Sequence, residues 1–118
     1  MGDDELPTFQ DILAHLRSRG TQVDPKSGRW KFRIQSPKGD RLIAIEHERE
    51  PDADGWIYVR VARGESLGEP ELADAEREID LGGLVAYVMP GEIQSMIPFE
   101  TIESLADFDR ELDRILAC

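Results

Sequence analysis

The sequence predicts an α+β fold, an antiparallel sheet of about five strands with N- and C-terminal helices packed on one face. Two patterns carry that prediction. Three successive segments alternate apolar and polar residues with a period of two, their apolar positions being Trp30/Phe32/Ile34, Ile43/Ile45/His47 and Ile57/Val59/Val61. Near both ends of the chain the apolar residues instead recur at helical spacing.

Residues 8–19 read as the first helix. Phe9, Ile12, Leu13 and Leu16 fall on one stripe, Thr8 with Asp11 forms a capping box, Gly20 is the stop, and Arg17 and Arg19 suit the negative end of the helix dipole. Asp24-Pro25-Lys26-Ser27-Gly28 is a loop by its turn chemistry. A three-stranded meander spans 29–62. Its first connection, Pro37-Lys38-Gly39-Asp40, reads as a four-residue loop closed by Ser36 and Arg41, which sets Ile34 across from Ile43, Phe32 from Ile45, Lys31 from Glu46 and Arg29 from Glu48. The second, from Arg49 to Gly55, allows Ile45 to face Val59 and Ile43 to face Val61, with Glu48 near Trp56 and Glu46 near Tyr58.

Residues 63–70 read as a linker by their glycines, proline and charges. Over 71–80, Leu72, Ala75 and Ile79 in helical register among good helix formers predict a helix that Gly82-Gly83 breaks. Two apolar runs, 84–89 and 93–97, flank Pro90-Gly91, the pair favoured at the centre of a type II turn, so a second hairpin is expected, with a buried helix over 82–97 as the alternative. The closing helix, 102–117, places Ile102, Leu105, Phe108, Leu112, Ile115 and Leu116 on one stripe and Glu103, Asp107, Arg110, Glu111 and Arg114 opposite. No internal repeat or low-complexity tract interrupts this order, and 118 residues suit one domain.

A net charge of −11, from 25 acidic against 14 basic residues, repels nucleic-acid phosphates and favours basic partners. The same acidity would also serve solubility or salt adaptation. No apolar run approaches the roughly 20 residues that span a bilayer, so no membrane association is expected. The acidic start Met1-Gly2-Asp3-Asp4-Glu5 does not resemble a secretory signal. With Cys118 as the sole cysteine no intramolecular disulfide can form, and a reducing, cytoplasmic setting is the expectation.

Catalytic signatures are sparse. Strand geometry turns His47 away from Glu46 and Glu48, so the three cannot converge on one metal ion, and no metal site or cofactor is expected. Asp52-Ala53-Asp54-Gly55 resembles the opening of a calcium loop, but the later ligand positions do not follow, which leaves a turn. Neither His15, off the apolar stripe of its helix, nor His47 has a nucleophile at a telling spacing.

The candidate site is therefore the second face of the meander, where Trp56, Tyr58, Arg60, Arg33 and Lys31 stand among Glu46 and Glu48. Exposed Trp, Tyr and Arg are the residue types that anchor protein interfaces. Three fates compete for this face: cover by the chain's own second half, self-association as a homodimer, or a separate protein partner.

Read coarsely, the expected order of helix, three strands, helix, two strands, helix is similar to that of the class I type III secretion chaperones and their relatives. Small size, acidic balance and an amphipathic C-terminal helix extend the resemblance over the whole chain. It implies an α+β chaperone that holds a segment of another protein and dimerises through its middle helix, which in this chain is polar. The leading expectation is a non-enzymatic protein-binding module, chaperone-like or adaptor, for a basic or extended segment. An immunity or inhibitor protein for a cationic toxin or nuclease is the second reading, and a small enzyme with a histidine acid/base the third.

Overall fold

The computed structural model describes residues 6–24, 26, 30–50, 53–64, 67 and 75–118. Among them the chain runs through α1 (Phe9–Arg19), β1 (Gly20–Val23), β2 (Trp30–Ser36), β3 (Gly39–Glu50), β4 (Ala53–Ala62), β5 (Arg77–Asp80), β6 (Val85–Val88), β7 (Glu92–Pro98), a 3-10 turn (Phe99–Thr101) and α2 (Leu105–Leu116). All seven strands form one antiparallel sheet in the order β1-β2-β3-β4-β7-β6-β5. The α+β class is as expected; the sheet has seven strands where about five were expected.

The helices begin where their caps put them. Thr8 Oγ1 accepts the Asp11 N–H at 3.1 Å and the Asp11 carboxylate accepts the Thr8 N–H at 2.8 Å, the reciprocal box that starts α1. Ser104 Oγ accepts the Asp107 N–H at 3.2 Å and starts α2 three residues later than the apolar stripe suggested. Ile102 precedes the helix and is still 1% exposed. From α1, Ile12, Leu13 and Leu16, and from α2, Phe108, Leu112, Ile115 and Leu116, all reach zero exposure against Phe32, Ile34, Ile43, Ile45, Ile57, Val59 and Val61. Both helices thus cover the same sheet face.

Within the meander the β3–β4 register is the expected one, with Ile43↔Val61, Ile45↔Val59, Glu46↔Tyr58 and Glu48↔Trp56. The β2–β3 register differs by two residues: Phe32 faces Ile43, Trp30 faces Ile45, and Lys31 and Arg33 face Ala44 and Leu42 rather than glutamates. The connection has two residues instead of four. Ser36 pairs with Gly39, whose φ of +97° a side chain would resist, and Ser36 Oγ accepts the Lys38 N–H at 3.2 Å and donates to the Gly39 carbonyl at 2.7 Å. A shift of two keeps every side chain on its face, so the core is unchanged while the Lys31/Glu46 pairing is lost. Arg29 lies outside the described residues.

The 71–80 helix is a correction. Residues 71–74 lie outside the described residues, and Arg77–Asp80 is an edge strand paired with β6. Gly82-Gly83 turns this hairpin rather than ending a helix, because the Asp80 carboxylate accepts the N–H groups of Gly82 at 2.9 Å and Gly83 at 3.0 Å. Those two bonds hold the Asp80 carboxyl below its ordinary pKa. The hairpin around Pro90-Gly91 is β6–β7, with Val88↔Ile93, although Gly91 is not among the glycines of positive φ that a type II turn needs.

At the far end of the meander β3 and β4 extend to Glu50 and Ala53, into the stretch expected as the Arg49–Gly55 loop, of which residues 51 and 52 lie outside the described set. The register shifts between Glu48 and Glu50, which places an extra residue on β4, and Gly55 takes a φ of +76° there. A Cβ on Gly55 would lie 1.8 Å from the Glu48 carbonyl oxygen. Gly55→Ala is therefore expected to lower stability by at least about 2 kcal/mol, from the strained φ together with the main-chain clash. Thermal or urea unfolding checks it, and an unchanged melt contradicts the bulge.

Candidate functional site

Sidedness in β2–β4 turns the alternate residues to the outer face, and β7 and β6 extend that face beyond β4. Its cross-strand rows are Val23–Lys31–Ala44–Arg60–Gln94–Tyr87–Glu78, then Glu46–Tyr58–Met96, then Glu48–Trp56–Pro98. The seven candidate residues all lie on this face, but they divide into zones.

At one end Trp56 is 37% exposed and Met96 38%, with half-buried Tyr58 beside them and the exposed carboxylates of Glu46 and Glu48 along the β3 margin. Tyr87 at 39% lies on the next row. Leu6, ahead of α1, is the remaining exposed large apolar side chain among the described residues. Burial, then the negative charge of Glu92, pushes the Tyr58 phenol above its ordinary pKa; Arg60 opposes them, and Glu48 and Glu46 add smaller upward effects. This end is an aromatic and thioether strip with an acidic margin.

In the middle Arg60 is 5% exposed and Glu92 8%. The guanidinium donates from Nε to one Glu92 oxygen at 2.6 Å and from Nη2 to the other at 2.7 Å, and Gln94 Nε2 adds a third donor at 3.0 Å. Arg60 is raised chiefly by its hydrogen bond to Glu92. Burial pushes the Glu92 carboxyl up, but the Arg60 and Gln94 bonds outweigh it and leave it below the usual range. The pair ties β4 to β7 and fixes the spacing of the Tyr58–Met96 row.

The other end is apolar. Leu42, Ala44, Ala62 and Leu67 form a second cluster with Val23 packed against it, and Leu67 comes from the stretch read as a linker. Lys31, half-buried, and Arg33, exposed, flank this cluster and stand apart from Trp56. Met96, Glu92 and Gln94 were not legible as site residues, because only the non-local β4–β7 pairing brings them to Trp56 and Arg60, and Tyr87 follows through its pairing with Gln94. A period-two reading of 92–98 on its own places Gln94 and Met96 on one face without naming their neighbours.

The histidines stand elsewhere. His15 Nε2 lies 2.8 Å from the Asp109 carboxylate, whose other oxygen accepts from Arg19 at 2.9 Å, a clasp between α1 and α2. His47 faces the core, its ring centroid 5.3 Å from that of Phe9 and 4.6 Å from that of Phe99. Among the described residues no group of three His, Cys, Asp or Glu could hold a metal ion, and no helix is long and apolar enough to cross a membrane. Comparison with known proteins finds no family model, no curated protein and no solved structure that matches this chain.

Removing one member of a buried, bidentate ion pair strands the other, so Glu92→Ala is expected to cost about 3–5 kcal/mol, while Arg60→Leu with Glu92→Leu costs less than Glu92→Ala alone. Urea denaturation of the three proteins checks the order. Glu92 ionises more readily in the folded chain, so the pair's contribution is full above the unfolded carboxylate pKa of about 4.3 and is lost as pH falls through the depressed folded value. Below about pH 5 the melting temperature of the native chain should fall more steeply than that of the double variant.

Proposed function

We propose that the chain is a non-enzymatic protein-binding module, chaperone-like or adaptor, that holds a basic, extended segment of a partner across the Trp56 end of the outer face. The observation that carries this reading is the exposure of Trp56, Tyr87 and Met96 on one sheet face next to the carboxylates of Glu46 and Glu48. Aromatic faces and a thioether give contact area without a fixed shape requirement. The glutamates on β3 recognise Lys or Arg of the ligand, and an Arg placed over Trp56 gains a cation–π contact. A net charge of −11 steers such a partner toward the chain.

Within this reading the candidate residues have different tasks. Trp56 and Tyr58 contact the partner, Glu46 and Glu48 select its charge, and Arg60, held by Glu92, supports the strip from the adjoining row. Lys31 and Arg33 lie beyond the Leu42 cluster and repel the basic end of a misaligned ligand.

Selection of peptides from a displayed random library on the immobilised protein tests the proposal. The expected winners carry Lys or Arg next to an apolar residue, bind less tightly as salt rises, and lose about thirtyfold or more in affinity on Trp56→Ala, equivalent to about 2 kcal/mol. Trp56→Ala should keep the cooperative melt. Winners without basic residues, or equal binding by Glu46→Lys/Glu48→Lys, contradict the reading.

A further inference from the structure

On the core side of the sheet, where α2 ends, the strand ends leave a cleft of about 390 Å³. Its lining is mostly polar: Lys38, Arg41, Arg63 and Arg77 stand against Asp40, and Ile79, Val88 and Ile93 supply a smaller apolar share. Four of the 14 basic residues of a chain with net charge −11 therefore gather around one opening. Their obligations differ. Arg41 donates to the main-chain oxygens of Leu116 at 2.9 Å, Cys118 at 3.1 Å and Ala62 at 3.1 Å, and so pins the end of α2 to the end of β4. Arg63 bonds the Glu76 carboxylate at 2.9 Å and the Met89 carbonyl at 2.8 Å. Lys38 and Arg77 form no side-chain ion pair among the described residues. They approach from opposite elements, Lys38 from the β2–β3 turn and Arg77 from the start of edge strand β5.

Convergence of these cations is visible at Cys118, which also lines the cleft. Burial pushes its thiol up, while Lys38, Arg41 and Arg77 together pull it back. We propose that this cleft binds a small phosphate-bearing ligand, its doubly charged head met by Lys38 and Arg77. The planar guanidinium matches two phosphate oxygens and the ammonium serves as a point charge. The volume lies within the range of small-molecule sites. The site lies on the sheet face opposite the Trp56 strip, so it stands or falls independently of the protein-binding reading.

Cys118, the sole cysteine, supplies the readout. Phenyl phosphate is the probe, and the rate of Cys118 alkylation by the uncharged N-ethylmaleimide is followed at constant ionic strength. Saturable protection of at least fivefold is expected, with none from phenol, and Lys38→Ala/Arg77→Ala should abolish it. Both side chains are exposed, so this variant should keep the native melt; Arg77→Lys, which keeps the charge, should retain most of the protection. Protection no greater than sodium chloride gives, or equal protection of the double variant, overturns the proposal.

Discussion

The register of β3 against β4 is the constraint on which the rest of the molecule depends. Ile43↔Val61, Ile45↔Val59 and His47↔Ile57 place apolar groups under the helices, and the intervening pairs Glu46↔Tyr58 and Glu48↔Trp56 then have no choice but the other face. A slip of one residue would turn one strand over, burying Glu46 and exposing Ile45 if β3 turns, or burying Tyr58 and exposing Val59 if β4 does. Burying an unpaired carboxylate costs several kcal/mol, and each exposed β-branched side chain forfeits about 1.5–3 kcal/mol more. The Gly55 bulge terminates the ladder with the same register, since its backbone packs against the Glu48 carbonyl too closely for any side chain.

From that ladder outward the sheet grows by non-local pairing, and its chemistry changes with each strand added. On the β2 side the outer face becomes a small covered cluster under Leu67. On the β7 side it becomes the Arg60–Glu92 pair and then the Met96 and Tyr87 surface. The buried pair is a costly way to join two strands, because apolar side chains of similar volume would often serve stability as well or better. What it adds is directionality. A bidentate guanidinium admits one alignment of β4 on β7, whereas apolar contacts tolerate sliding.

Local signals were legible in the sequence; non-local ones were not. The Thr8–Asp11 box, the stripe of α2 and the alternation in 30–61 each arise from residues within one turn or one strand, where sterics and hydrogen bonding act over a few positions. The two-residue turn at Pro37-Lys38 is not legible, because Gly39 serves equally as a loop residue or as the first strand residue, and the Ser36 hydroxyl bonds favour the latter. The edge strands β1 and β5 carry little apolar signal, since an edge strand with a polar, charged exterior resists pairing with other molecules. Helix-forming residues in 71–80 outweighed that weak signal. Of the site, Trp56, Tyr58, Glu46 and Glu48 were legible together from period and turn, whereas Glu92, Tyr87 and Met96 needed the β4–β7 contact.

Two surfaces of opposite sign on one small sheet are compatible with a net charge of −11 because of the distances involved. Charges on solvated surfaces are screened over roughly 8–10 Å at moderate ionic strength, a fraction of the 45 Å long axis of the molecule. A macromolecule approaching from afar responds to the overall sign and is steered to the carboxylate margin of Glu46 and Glu48. A small ligand already at the mouth of the cleft responds to Lys38 and Arg77, which with Arg41 and Arg63 outnumber Asp40 in its lining. Acidity of the whole chain and basicity of one opening thus serve different ranges, and the sheet keeps them apart by the alternation that separates odd from even residues.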